Sequence, residues 1–389
     1  MPSFNKIIVL FVGILFPLAS AFSQDSINTL SYDKKREKAT TLLLYKCESG
    51  EYDESIDLST NYLKKWKKKS LGQPSEYTQI ELLQARADYA IMHFEAADKL
   101  VAGAEKNYFE FKNVLSQKEK ILSTLFIATY YYEVGNYVAA DKFCSIADSV
   151  AKTNTSEYLQ DDILLLKSKI LFHQEYYDEA LALIERQYDY RLRMASATTV
   201  ENKDRLYINV KYDFQVRKER FADLVNLKAA VYSKKELFTE ANLALTNNKD
   251  WIEKNLSKNS IYYRNLLVIE ADNATAKNSN ESAAVLYQSA YTTYDCEEDE
   301  VNKINNLSES IISYTKAGDV IRAQNYLRRL QMHAFQYVGK TERYEIAYDY
   351  TLSEIFFLKG ELEPASARLA AFLNASSGMP VYHSHYIKI

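Results

Sequence analysis

Glycine and proline are scarce in this chain, nine and five among 389 residues. A β-sandwich or barrel needs turn residues at roughly every 8–12 positions, so that shortage excludes an all-β fold and leaves helices. Histidine is scarcer still. His93, His173, His333, His383 and His385 form no His-Glu-x-x-His pattern and no Cys/His cluster with zinc spacing. No glycine-rich phosphate loop, nucleophile elbow or kinase signature occurs either. The sequence therefore names no catalytic residue, no metal ligand and no cofactor, and the expectation is a protein that is not an enzyme. Basic excess is also missing. The formal charge is −4, without the cationic footprint that nucleic acid requires.

Three cysteines, Cys47, Cys144 and Cys296, are widely separated and are read as thiols, not as disulfides. Long apolar runs are absent after the N-terminus. There Lys6 precedes the apolar stretch Ile7–Ala19 and small residues at Ser20, Ala21 and Ser23, the layout of a secretory signal peptide over 1–23. The run is too short for a comfortable membrane span. The expectation is an extracytoplasmic protein, periplasmic or secreted, with no stable membrane anchor after cleavage following Ala21 or Ser23.

What is present is periodicity. The stretch 125–151, LFIATYYYEVGNYVAADKFCSIADSVA, reads as two amphipathic helices joined at Gly135, with Ala128 seven before the turn, Tyr137 two after, Ala140 five after and Ala147 twelve after. Small residues at a helix crossing let backbones approach. The same template places turns at Gly50, Met92, Gly135, Glu175, Glu236, Asn278, Gly318 and Gly360. Their spacings are 42, 43, 40, 61, 42, 40 and 42. Five after each turn stand Ser55, Ala97, Ala140, Ala180, Ala241, Ala283, Ala323 and Ala365. Seven alanines in eight trials, where ordinary composition gives about one, mark a genuine column. Seven before each turn stand Leu43, Ala85, Ala128, Ser168, Ala229, Ala271, Ile311 and Ser353. Two after come Tyr52, Phe94, Tyr137, Tyr177, Phe238, Asn280, Val320 and Leu362, where a ring would wedge between the paired helices.

These columns resemble the tetratricopeptide repeat in its long, 42-residue form, and the resemblance covers about 31–374. Similar repeats occur in kinesin light chains, in cytoplasmic peptide-responsive regulators and in exported sensory halves of bacterial signalling proteins; the N-terminus makes the last group the nearest comparison. The resemblance implies an all-α, right-handed superhelical solenoid of about eight hairpins. The 61-residue interval implies two four-hairpin blocks, 24–187 and 223–375, separated by a joint at 188–222 that reads as too charged for a core. Thr198 and Thr199 offer a break there, with an extra helix or hairpin arm from Lys203 onward.

Tetratricopeptide arrays bind partners in a concave groove lined by the first helix of each hairpin. Offsets three and six before the turn share a helical face. They place Tyr89, Tyr132 and Phe172 beside Arg86, Thr129 and Lys169, with Cys47 and Leu44 in the first unit. Rings beside cations suit an acidic or aromatic peptide, or a sugar. The same rings could equally pack between hairpins. The lysine and asparagine pattern of a carboxylate clamp does not match. The expected function is an exported scaffold binding a protein or peptide; the alternative is a sensory domain for a small molecule or glycan. The acidic run 295–300 and the lysines near 64–69 read as charges complementing helix ends. The last hairpin carries Phe356, Phe357, Leu362, Leu369 and Phe372, and no further hairpin precedes the tail 376–389. Weak self-association through that end is expected.

Overall fold

The computed structural model describes residues 39–40, 42–44, 46–47, 52–68, 74–90, 93–152, 157–197, 210–293, 300–336 and 341–376. Residues 39–47 are helical wherever described, and no strand occurs among the described residues. Fifteen longer helices follow: α1 Tyr52–Lys68, α2 Pro74–Ala90, α3 Phe94–Phe111, α4 Gln117–Glu133, α5 Tyr137–Ala151, α6 Glu157–His173, α7 Tyr177–Ser196, α8 Val210–Lys234, α9 Phe238–Asn255, α10 Ile261–Ala276, α11 Asn280–Thr293, α12 Glu300–Lys316, α13 Val320–Gln336, α14 Thr341–Leu358 and α15 Leu362–Ser376. The protein is all-α, an array of tandem helical hairpins.

The turns explain the register. Gly135, Glu175, Glu236, Asn278, Gly318 and Gly360 all adopt positive φ, between 58° and 79°, so every expected turn residue that is described ends its helix in the left-handed conformation. Each closes a Schellman motif. At the third turn Asn136 N–H donates to Tyr131 C=O at 2.8 Å and Gly135 N–H donates to Tyr132 C=O at 3.1 Å. The pair recurs at Glu175, Glu236, Asn278, Gly318 and Gly360. Gly50 and Met92 lie outside the described residues, yet His93 N–H still donates to Asp88 C=O at 2.7 Å, the same six-to-one closure.

The next helix then starts on the alanine column. Ala97, Ala140, Ala180, Ala241, Ala283, Ala323 and Ala365 each donate N–H to the residue just after the turn. All seven are buried, as are all eight residues seven before a turn. Side-chain caps reinforce individual starts: Asn136 Oδ1 accepts from Ala139 N–H at 3.1 Å. Ser116 and Glu119 form a reciprocal capping box before α4. The rings two after the turn are half-buried from Tyr52 to Phe238, while Val320 and Leu362 are exposed.

Two compact units divide between Tyr130 and Tyr131. In the first, α1 packs on α2 and α2 on α3. In the second, each helix from α5 to α15 packs on the next. First helices of neighbouring hairpins also touch there, α6 with α8, α8 with α10 and α12 with α14. One of its cores joins Leu165, Ala180, Ile184, Leu224, Leu227 and Val231.

The long interval is built differently from the expectation. Helix α7 extends to 20 residues and α8 to 25, and α8 runs uninterrupted from the charged stretch into the first helix of the fifth hairpin. Residues 198–209, including the expected break, lie outside the described residues. Nor is the stretch too charged for a core. Arg191 and Arg217 are both buried: Arg191 brings partners with it, its Nη2 lying 2.7 Å from Asp161 Oδ2 and 3.6 Å from Asp162 Oδ1, and Arg217 Nη1 donates to Met194 Sδ at 3.5 Å. Phe221 packs on Tyr188 and Trp251.

Candidate functional site

The six residues expected to line a groove fall three to each unit. In the first, Tyr89 is buried, its ring 5.4 Å from Phe94 and 5.9 Å from Tyr130, so it serves as core. Arg86 is half-buried. Thr129 turns its hydroxyl back to Leu125 C=O at 2.8 Å, satisfying itself within its own helix. Cys47, at the matching position of the first hairpin, is a buried thiol donating to Leu83 C=O at 3.4 Å, and Leu44 is buried as well. Packing thus claims this face in the first hairpins.

In the second unit Tyr132, Lys169 and Phe172 belong to one connected patch. Tyr132 shares a 3.2 Å hydrogen bond with His173 Nε2. His173 stacks on Tyr137 at 4.8 Å and meets Phe172 edge-on at 5.2 Å. Phe172 in turn lies 5.8 Å from Tyr177. Burial first, then the negative charge of Asp223, push the Tyr132 phenol far above its ordinary pKa, so it remains a hydroxyl. Lys169 Nζ sits 2.5 Å from Asp223 Oδ2, joining α6 to α8, and both side chains are about a quarter exposed.

A second rung lies below it, Arg220 Nη1 to Asp162 Oδ1 at 3.1 Å. The order on the two first helices is therefore acid and cation on α6 facing cation and acid on α8. Such pairs, held partly out of water, fix the spacing of neighbouring repeats and leave a face of alternating charge beside hydroxyl and ring groups. Sequence reasoning named Lys169 and missed Asp223, His173, Asp162 and Arg220. The repeat register held the signal, because Asp162 and Asp223 both stand thirteen residues before their turns.

The first unit has a separate cleft of about 250 Å³ between α2 and α3, lined by Glu81, Lys99, Gly103, Lys106, Asn107 and Glu110. Among the described residues no group of three or more His, Cys, Asp or Glu is placed to hold a metal ion. No described helix is long and apolar enough to cross a membrane.

Neither a protein-family profile nor any curated protein matches the sequence. Solved structures do. A Rap protein complexed with competence and sporulation factor aligns with TM-score 0.55 at 11% identity over 88% of this chain and 98% of that one. The apo form of the quorum sensor NprR from B. thuringiensis aligns with TM-score 0.55 at 13% identity over 95% and 96%. The shared property is the fold. Nearly the whole length of each chain takes part, so the likeness is to the entire hairpin array.

Proposed function

We propose that this chain is an exported tetratricopeptide-type scaffold that recognises a protein or peptide partner on the first-helix face of its hairpins, without catalysis. The observation that carries the proposal is the patch on α6 and α8, where Lys169 and Asp223 remain partly exposed beside the Tyr132 hydroxyl and the Phe172 and His173 rings. A peptide backbone offers both donors and acceptors, and a face of paired opposite charges can answer both. Two neighbours in fold support the peptide class, one being complexed with competence and sporulation factor and the other a quorum sensor. Export rests on the N-terminal run of the sequence, which lies outside the described residues. The cleft beside Glu81 supports the second reading, a sensory domain for a small molecule.

Selection from a displayed peptide library, followed by calorimetric titration of the recovered peptide, tests the proposal. Lys169→Ala and Asp223→Ala are each expected to weaken binding at least tenfold, about 1.4 kcal/mol, with helicity unchanged. Equal affinity for parent and both variants would remove the site from α6 and α8.

A further inference from the structure

Two departures from the repeat pattern meet in the cleft of the first unit. Eleven residues before the turn the array carries Ala39, Thr124, Leu164, Val225, Leu267 and Leu307, all buried except the half-buried Leu164. The last hairpin has Asp349 there, answered by Arg368 at 2.7 Å. In α2 the position is Glu81, a carboxylate only 8% exposed. Eleven residues after the turn every other hairpin carries a side chain, among them Ile146, Arg186 and Arg329, whereas α3 has Gly103. Gly103 is helical, and nothing lies within 4 Å of the Cβ it lacks. Neither backbone conformation nor packing therefore asks for glycine, which weakens a helix interior relative to alanine. What the missing side chain leaves is the cleft itself, since Gly103 and Glu81 both line it.

The lining is balanced in charge. Lys99 and Lys106 stand one turn to either side of Gly103 and both are exposed. Glu110 follows one turn beyond Lys106, and Glu81 enters from α2, where Asn107 Nδ2 donates to its Oε2 at 3.5 Å. A carboxylate accepts at roughly four lone-pair sites, so Glu81 can take further donors beside Asn107. With two cations and two carboxylates around it, a ligand of a single sign would meet a like charge next to each partner. A ligand carrying both signs satisfies both. Leu100 and Phe111, half-buried in the same lining, add apolar surface.

We infer that this cleft binds a free amino acid with an apolar side chain. Its ammonium group donates to Glu81, its carboxylate is received by Lys99 and Lys106, and its side chain lies against Leu100 and Phe111. The volume, about 250 Å³, falls below the roughly 300–1,000 Å³ of pockets for drug-sized ligands, which suits a single amino acid better than a peptide segment. The inference rests on the second reading above, a domain for a small molecule, and is independent of the patch on α6 and α8.

Calorimetric titration of the full chain with L-leucine and L-phenylalanine, up to millimolar concentration, tests it. Saturable binding of at least one is expected. Isopentylamine and 4-methylpentanoate, which each keep one charge of leucine, should bind at least tenfold more weakly. Gly103→Leu should abolish binding and yet raise the melting temperature, because leucine fills the cleft while favouring the helix; Lys99→Ala with Lys106→Ala, both at exposed positions, should weaken binding at least tenfold with helicity unchanged. Failure of both amino acids to bind overturns the inference, as does binding that survives Gly103→Leu or is matched by either singly charged analogue. A parallel titration with neutral monosaccharides separates the two readings. A sugar bound by the parent and lost in Gly103→Leu would overturn the amino-acid assignment and leave the small-molecule reading standing, whereas a parent that binds neither class would remove both.

Discussion

Two turns of the array test the register with opposite signs. Gly318 and Glu236 occupy the same structural position, with φ of 79° and 59°. Gly318→Ala forces an L side chain into the left-handed region, which costs about 1–2 kcal/mol. Nothing lies within 4 Å of the Cβ it would add, so no clash contributes. The reduced freedom of the unfolded chain returns about 0.4–1 kcal/mol, leaving a net destabilisation of roughly 0.5–1 kcal/mol. Glu236→Gly runs the same terms backwards and should stabilise by a similar amount. The sites lie two hairpins apart, so their effects should add and the double variant should melt near the parent. Thermal and urea unfolding followed by circular dichroism would show opposed shifts of a few degrees. If Gly318→Ala is neutral and Glu236→Gly destabilises, the left-handed turn is not what sets the helix ends.

Two further outcomes follow from burial. Ala180 lies in the core with Leu165, Ile184 and Leu224, so Ala180→Leu should overpack the crossing and lower stability by about 1–3 kcal/mol, read in the same melts. The Cys144 thiol is pushed up to about 12 by burial. The native chain should therefore resist iodoacetamide at mildly alkaline pH and react after denaturation. A thiol that ionises at higher pH folded than unfolded costs stability as pH rises from its ordinary value near 9 toward 12. Cys144→Ala should flatten that decline, and an unchanged pH profile would place the loss elsewhere.

The fold was readable from sequence because its determinants are local and repeated. An alanine five after the turn and a small residue seven before it are demanded by the helix crossing itself, and no distant contact is needed to find them. Position tolerance explains the harder turns: Glu175 and Glu236 carry no glycine signal, yet Ala180 and Ala241 in the alanine column, with Tyr177 and Phe238 two after the turns, set their register. The groove residues were less legible for the opposite reason. Tyr89 and Tyr132 share one offset, but one ring is core and the other borders the polar patch. What separates them is the next hairpin, through Tyr130 in one case and His173 in the other.

Charge was the least legible property, and the 188–222 stretch shows why. Read alone, Arg191, Arg217 and Arg220 argue against a core, since an isolated buried cation is prohibitively costly. Their carboxylates stand about thirty residues earlier for Arg191 and nearly sixty earlier for Arg220, at Asp161 and Asp162. Only stacking of α6, α7 and α8 brings the signs together. The pairing then alters what the proposed groove would offer. Lys169, taken from sequence as a cation awaiting an acidic partner, is already answered by Asp223. A purely acidic ligand would have to displace that carboxylate and leave it half-buried beside Tyr132, an arrangement that costs more than it returns. A ligand presenting both signs, as a peptide backbone or a zwitterionic chain does, can add to each member of the pair without separating them. The geometry thus shifts the expected partner from an acidic segment toward one that carries donors and acceptors in alternation.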